Sequence, residues 1–438
     1  MADGTKIEWT DATWNPITGC SVVSPGCTNC YAMKLAGTRL KHHPSREGLT
    51  RNSKAGPVWT GEVRFNPQWL DEPLRWKKPR MIFVCAHGDL FAEGVPDEWI
   101  DQIFAVMALA PQHTFQVLTK RPERMRDYLQ EMARCFEHDS AEFSRRWGTA
   151  AAEVTGSPCA AGAIEDIPWP LPNVWLGTSA EDQDRYSSRW PYMEELQELG
   201  WLTWLSAEPL LGRILLRVTG LREVGPDARV HQSSLPQWVV AGGESGPNAR
   251  PMHPYWPRQL RDQCADAGVP FHFKQWGAWG KPTKPRPSGT PGRFALAASP
   301  EGASEFWPAH VVEIGHWPRQ IDLFGGATVL EHVGKKAAGR LLDGIEHNGF
   351  PGDPPMTPRS GSAHVKDFEA FVAETAPKLH WKIYQDLGAD PSRSNGYYDG
   401  WQHGFGEASF GPLPLPQLID EMKASVTAKV RALGDDRQ

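Results

Sequence analysis

No run of about 18 consecutive apolar residues occurs in this 438-residue chain, so nothing in it reads as a membrane-spanning helix. The N-terminus, MADGTKIEWTDATW, lacks both the basic and the apolar segment of a secretory leader, and a cytoplasmic protein with no membrane partner is expected. Excess charge of one sign is missing too. The 46 Lys+Arg against 52 Asp+Glu leave a net charge of −6, which excludes a generally basic nucleic-acid-binding surface but allows a local basic groove. Cysteine is sparse, at seven residues, and in a reducing compartment that is no disulfide framework. Against these absences stand 40% hydrophobic and 10% aromatic residues, usage that excludes disorder as the main state and can fill a sizeable core. No tandem repeat is found.

The cysteines are unevenly placed. Cys85, Cys135, Cys159 and Cys264 are scattered, and Cys264 shares a helical face with Trp256, Leu260 and Ala267, so these four read as core residues. The other three form Cys20-Ser-Val-Val-Ser-Pro-Gly-Cys27-Thr-Asn-Cys30-Tyr31, a C-x6-C-x2-C loop. Soft thiolates gathered in this way suit an iron–sulfur cluster or zinc. With His42 or His43 as fourth ligand, a closed structural zinc site is the alternative, and the protein would then be a zinc-stabilised nucleic-acid-binding or interaction protein without redox chemistry.

Downstream, short apolar runs alternate with helical patterns. Strands are expected at Met81–Cys85, Thr114–Leu118, Val174–Thr178, Trp201–Ser206, Trp238–Ala241 and Pro270–Lys274, with a short one around Trp14 to Thr18. Helices are expected over about Pro96–Ala110, from about Pro122, up to about Gly200, and over about Pro257–Ala267. Apolar strands separated by helices imply a parallel sheet, six or seven β/α units between residues 10 and 280. Polar residues recur after the strands: His87-Gly88-Asp89, Thr119-Lys120-Arg121, Ser179-Ala180-Glu181-Asp182, Ser206-Ala207-Glu208, Gly242-Gly243-Glu244-Ser245 and Lys274-Gln275. Parallel α/β folds carry ligand chemistry at that edge, and the cysteine loop should open onto the same rim. Lys120 and Arg121 read equally as the solvated start of a helix or as substrate contacts. Arg75, Lys77, Lys78 and Arg80 form a basic run around Trp76, a solvated face or a phosphate contact. Outside this rhythm lie an insertion at 135–172, a Pro/Gly/Ser-rich stretch at 281–310 read as surface loop, and an appendage beyond Gly352 with helices expected around Val365–Ala373 and Leu415–Leu433.

The segment Lys6 to Cys20 with Gly26-Cys27-Thr-Asn-Cys30-Tyr-Ala32 is similar to the opening of a phage-associated family long left as a domain of unknown function. Further hallmarks are Pro73–Arg80, Val117-Leu-Thr-Lys-Arg-Pro122, Trp175–Asp182, Leu205-Ser-Ala-Glu-Pro-Leu-Leu-Gly212, Val240–Gly246, Phe273-Lys-Gln-Trp-Gly277 and Gly334–Gly344. That family resembles the radical S-adenosylmethionine (SAM) superfamily, and its Thr-Lys and Glu-Pro-Leu-Leu segments are similar to the spore photoproduct lyase branch. The resemblance implies a partial (β/α)6 TIM-type barrel over 1–280; a loop-rich closing segment follows at 281–351, and the insertion at 135–172 and the C-terminal extension at 352–438 depart from the family. It implies a 4Fe–4S cluster held by Cys20, Cys27 and Cys30, with the fourth iron left to SAM. It further implies an electron donor such as a flavodoxin or ferredoxin, and reductive SAM cleavage to start hydrogen abstraction from a substrate, with a nucleobase, DNA or RNA as the expected class. Tyr31 takes the aromatic place near adenine, and His87, Gly88 and Asp89 the place that holds the SAM amino group, with Asp89 as acceptor. Ser179, Glu181 and Asp182 are expected at ribose and carboxylate, Gly242 and Gly243 at a close backbone approach. Lys120, Glu208 and Glu244 are the remaining candidates for catalysis. The six-residue first gap departs from the superfamily's usual three.

Overall fold

In a computed structural model, residues 2–5, 7–217, 219–221, 230–298, 310–318 and 327–353 are described. Seven strands lie side by side in the order in which the chain makes them: β1 (Ala12–Trp14), β2 (Met81–Val84), β3 (Thr114–Thr119), β4 (Val174–Ser179), β5 (Leu202–Ala207), β6 (Val239–Gly242) and β7 (Phe271–Gln275). Every neighbouring pair is parallel. Right-handed crossovers in an order that never reverses bring all connecting helices to one face. The other face must be buried by the sheet itself, which curls strongly into a half-barrel. The crossover helices are α1 (Asp97–Leu109), α2 (Pro122–His138), α3 (Gln183–Glu198) and α4 (Tyr255–Ala267).

Side chains alternate between the two faces with the period of two that a strand imposes. Ile82, Val84, Phe115, Val117, Leu176 and Leu205 pack under the helices with Ile103, Met125, Leu129 and Cys264. Phe83, Trp204, Trp238 and Val240 point the other way and, with Trp9, Trp175 and Phe350, fill the floor of the concave side. Trp204 fits there because Gly177 on β4 leaves room for its ring. Both sheet edges are covered. Ala2–Asp3 pairs antiparallel with β1, and along β7 Phe273 N–H donates to His347 O (2.9 Å) and Gly349 N–H to Phe271 O (3.0 Å).

Two expectations change, and the insertion takes on a structure. The strand around Trp14 to Thr18 breaks at Pro16, which has no N–H for the ladder: Ala12–Trp14 stays in the main sheet, while Ile17–Gly19 pairs antiparallel with Val63–Phe65. The insertion at 135–172 is helical. After α2 come Ser140–Phe143, a π turn at Ser144–Gly148, Thr149–Thr155 and Cys159–Glu165, docked through Arg146 on buried Asp101 (2.8 Å). The stretch 281–310 contains strand Pro291–Ala298, which joins Trp279–Gly280, His310–His316 and Thr328–His332 in a four-stranded antiparallel sheet. Its inward residues are small, Ala295 and Ala297, because they face Trp279; small residues between prolines and glycines do not read as a strand. The helices expected around 365–373 and 415–433 lie outside the described residues. Among the described residues no helix is long and apolar enough to cross a membrane.

Candidate functional site

The strand Ile17–Gly19 delivers Cys20 to the C-terminal edge of the parallel sheet. A 3-10 turn follows at Pro25–Cys27, and Cys30 stands at the N-cap of the short helix Tyr31–Gly37. Backbone bonds from Cys27 N–H to Ser24 O (2.9 Å) and from Cys30 N–H to Cys27 O (3.2 Å) wind the loop tightly. The three thiols stand near enough for their charges to interact. Burial and the Asp89 carboxylate push the Cys20 thiol up to about 12, Arg121 opposes this, and Cys30 and Cys27 add to it. Cys30 is raised mainly by burial, with Lys120 opposing. Of the scattered cysteines, Cys85, Cys135 and Cys264 are buried and Cys159 is exposed; all are free thiols.

Three strand-end carboxylates hold this loop down. Glu181, with no exposed surface, accepts from Gly26 N–H (2.9 Å) and from Arg189 Nη1 (3.2 Å). Burial alone would raise its carboxyl, but Ser24, Gly26, Arg189 and Lys120 outweigh that and hold it below the usual carboxylate range. Glu244 accepts from Asn29 Nδ2 (2.9 Å) and from the backbone, Nε and Nη2 of Arg250, whose Nη2 also reaches Pro25 O (3.0 Å). Asp89 accepts from Phe91 N–H, Thr119 Oγ1, Lys120 N–H and Arg121 Nη1, which occupies both oxygens. Arg121 in turn donates to Cys20 Sγ at 3.5 Å. Asp89 and Glu181 were expected at SAM and Glu244 in catalysis; the oxygens of all three meet protein donors.

Other groups remain open. The Lys120 ammonium has no hydrogen-bond or ion-pair partner among the described residues, and its charge acts on both Cys30 and Glu181. Glu208 pairs with Lys274 (3.2 Å), and Gly242 sits so close that a Cβ there would stand 2.5 Å from Glu208 Oε1. The Tyr31 hydroxyl is raised by burial, with Cys30 and Glu208 adding, and donates to Ala86 O, while 51% of the residue is accessible. His87, edge-on to Tyr31, is lowered to about 4 by burial and by Arg46, and as a neutral ring its Nδ1 faces Arg46 Nη2 at 2.7 Å.

The rest serve the scaffold. Asp182 caps α3 by accepting from Arg185 N–H (3.0 Å). Ser179 is buried, and its carbonyl accepts from Arg189. Gly88 lies tightly against Ile17 O and Gly19 O, and Gly243 stands so close to Trp276 O that a Cβ there would lie 2.2 Å from it. His43 engages Ser45 through Nδ1 (2.6 Å) and stacks on Trp69, and His42 is exposed. The run 75–80 precedes β2, at the edge of the sheet opposite the cysteine loop, with Arg75 paired to Asp71 and Arg80 over the Trp76 ring. Arg121, Arg189, Arg250 and Lys274 do most of the binding work here. Arg121 and Lys274 are signalled in the sequence as cations at strand ends; Arg189, inside α3, and Arg250, well past β6, carry no such signal.

Whether the site suits an iron–sulfur cluster rests on the donor set, and three thiols on one loop beside cationic side chains fit it. Among the described residues, no three His, Cys, Asp or Glu side chains form a ready-made site for a single metal ion.

These features define an α/β protein with a three-cysteine loop clamped over the C-terminal edge of a parallel half-barrel. The family model described as "Protein of unknown function (DUF5131)" matches residues 4–351, and the chain belongs to that family. No curated protein and no solved structure matches it.

Proposed function

We propose that the protein is a radical SAM-type iron–sulfur enzyme whose half-barrel is of the partial (β/α)6 kind. The observation that carries this reading is the clamp: Glu181, Glu244 and the Asp89–Arg121 pair spend buried charge on fixing a loop whose exceptional content is three thiols. In a bound state, the cluster with SAM supplies one-electron reductive cleavage and so hydrogen-atom abstraction. Cys20, Cys27 and Cys30 would hold it. Tyr31 offers a ring face for stacking. Lys120, lacking a partner, is the cation available to a carboxylate or phosphate, and the Glu208–Lys274 pair presents an acceptor and a donor side by side, a pattern suited to a nucleobase edge. The aromatic floor excludes water from below. The 75–80 run lies too far round the molecule to lend support to a nucleic-acid substrate.

Anaerobic reconstitution tests this. About four iron and four sulfide per chain are expected, with 5′-deoxyadenosine formed from SAM and dithionite. Replacing any one of Cys20, Cys27 or Cys30 by Ala should abolish iron binding, whereas Cys264→Ala should leave it intact. About one zinc and no sulfide in the purified protein would overturn the reading in favour of a zinc-stabilised binding protein.

A further inference from the structure

We infer that Arg121 is a positioning residue that sets the charge on one cluster ligand, Cys20, and thereby the ease with which the bound cluster takes up an electron; this rests on the function proposed above.

All five guanidinium N–H groups have assignments. Nε and Nη2 fork onto Glu93 (3.0 Å each), Nη1 donates to Asp89 Oδ2 (3.0 Å) and Cys20 Sγ (3.5 Å), and Nη2 also reaches Ser21 Oγ and Ser21 O. A planar fork held at two carboxylates cannot rotate away from the sulfur. The backbone repeats the arrangement: Arg121 N–H donates to Thr119 Oγ1 (2.9 Å), which donates to Asp89 (2.7 Å). The Arg121 side chain is 9% exposed, so solvent screens the contact little. The three thiols are therefore unequal. Cys20 alone receives a bond from a cation; Cys27 has the Ser24 hydroxyl at 3.9 Å, and Cys30 senses Lys120 only through space.

A cation bonded to a ligand sulfur favours the more negative, reduced state, so its loss should lower the potential. The test is a reductive titration of reconstituted protein followed by electron paramagnetic resonance. In Arg121→Gln the one-electron equilibrium should shift roughly tenfold toward the oxidised form, about 59 mV more negative. Arg121→Lys should fall between the two. A variant that binds iron in full with an unshifted potential overturns the proposal. If Arg121→Gln assembles no cluster, the metal-free chain decides. Alkylation of Cys20 by iodoacetamide, followed by mass spectrometry against exposed Cys159, should be several-fold slower than in the native protein; an equal rate overturns the proposal. Native protein that binds no iron defeats the proposed function instead, and the alkylation comparison still judges Arg121.

Discussion

Glu181 is named in the sequence by nothing more than its place after an apolar strand, yet it holds a loop 155 residues away through Gly26. The sequence shows that a carboxylate reaches the rim; it does not show which donor meets it, because Gly26, Asn29 and Arg250 are brought there only by the fold. For that reason Asp89 and Glu181 read as ligand contacts and Glu244 as a catalytic candidate, while Arg121 reads equally as solvated or as a substrate contact. The buried pair also fixes a pH dependence. Glu181 is depressed in the folded protein, so the stability it contributes is fully present above the unfolded carboxylate value near 4.3 and is lost as pH falls through the lower folded value. Glu181→Gln should cost about 3 kcal/mol at pH 7, since Arg189 is left buried without its counter-charge. The gap between variant and native protein in urea unfolding should narrow below about pH 4. Parallel curves at both pH values would show that Glu181 carries no such charge.

Elements were legible where packing imposes a period. Six of the seven parallel strands stand out as apolar runs because helices bury one face and the aromatic floor the other. The hairpins and the second sheet were not, because Pro16 and the small residues of Pro291–Ala298 give no strand signal of their own. Within β4 the fit is tight enough to measure. A Cβ on Gly177 would stand 2.3 Å from the Trp204 ring, so Gly177→Ala must displace the indole and should cost about 1–3 kcal/mol. Gly162, in the insertion helix Cys159–Glu165, meets nothing within 4 Å, and Gly162→Ala should instead stabilise by about 0.5–1 kcal/mol. Thermal unfolding of the two variants checks the contrast; equal and small effects would mean that the floor yields to the extra methyl.

At the scale of the whole molecule, a curled open sheet has two free edges, and unpaired edges invite other strands. One edge is closed by Ala2–Asp3. The other is closed from 70 or more residues further along the chain, where 347–349 bonds to β7 and Gly349 O accepts from Trp238 Nε1 (2.7 Å) in the floor. That segment carries no periodic signal because its contribution is backbone rather than side chain. Gly349 is its tightest point: a Cβ there would lie 2.8 Å from Phe271 N and 3.0 Å from Phe271 O, backbone atoms that cannot step aside. Gly349→Val should therefore lift the segment from β7, freeing Phe273 N–H and Trp238 Nε1 together and loosening Phe350, whose ring packs 5.3 Å from that of Trp238. Hydrogen–deuterium exchange should accelerate in the peptide covering Phe271–Gln275 by tenfold or more while α1 and β3 keep native protection, since about 1.4 kcal/mol of lost local stability is a factor of ten. The cysteine loop lies at the far end of the strands, so iron binding after reconstitution should survive. Unchanged exchange in β7 would mean the sheet needs no closure there, and loss of iron binding would mean that edge and loop are coupled through the aromatic floor.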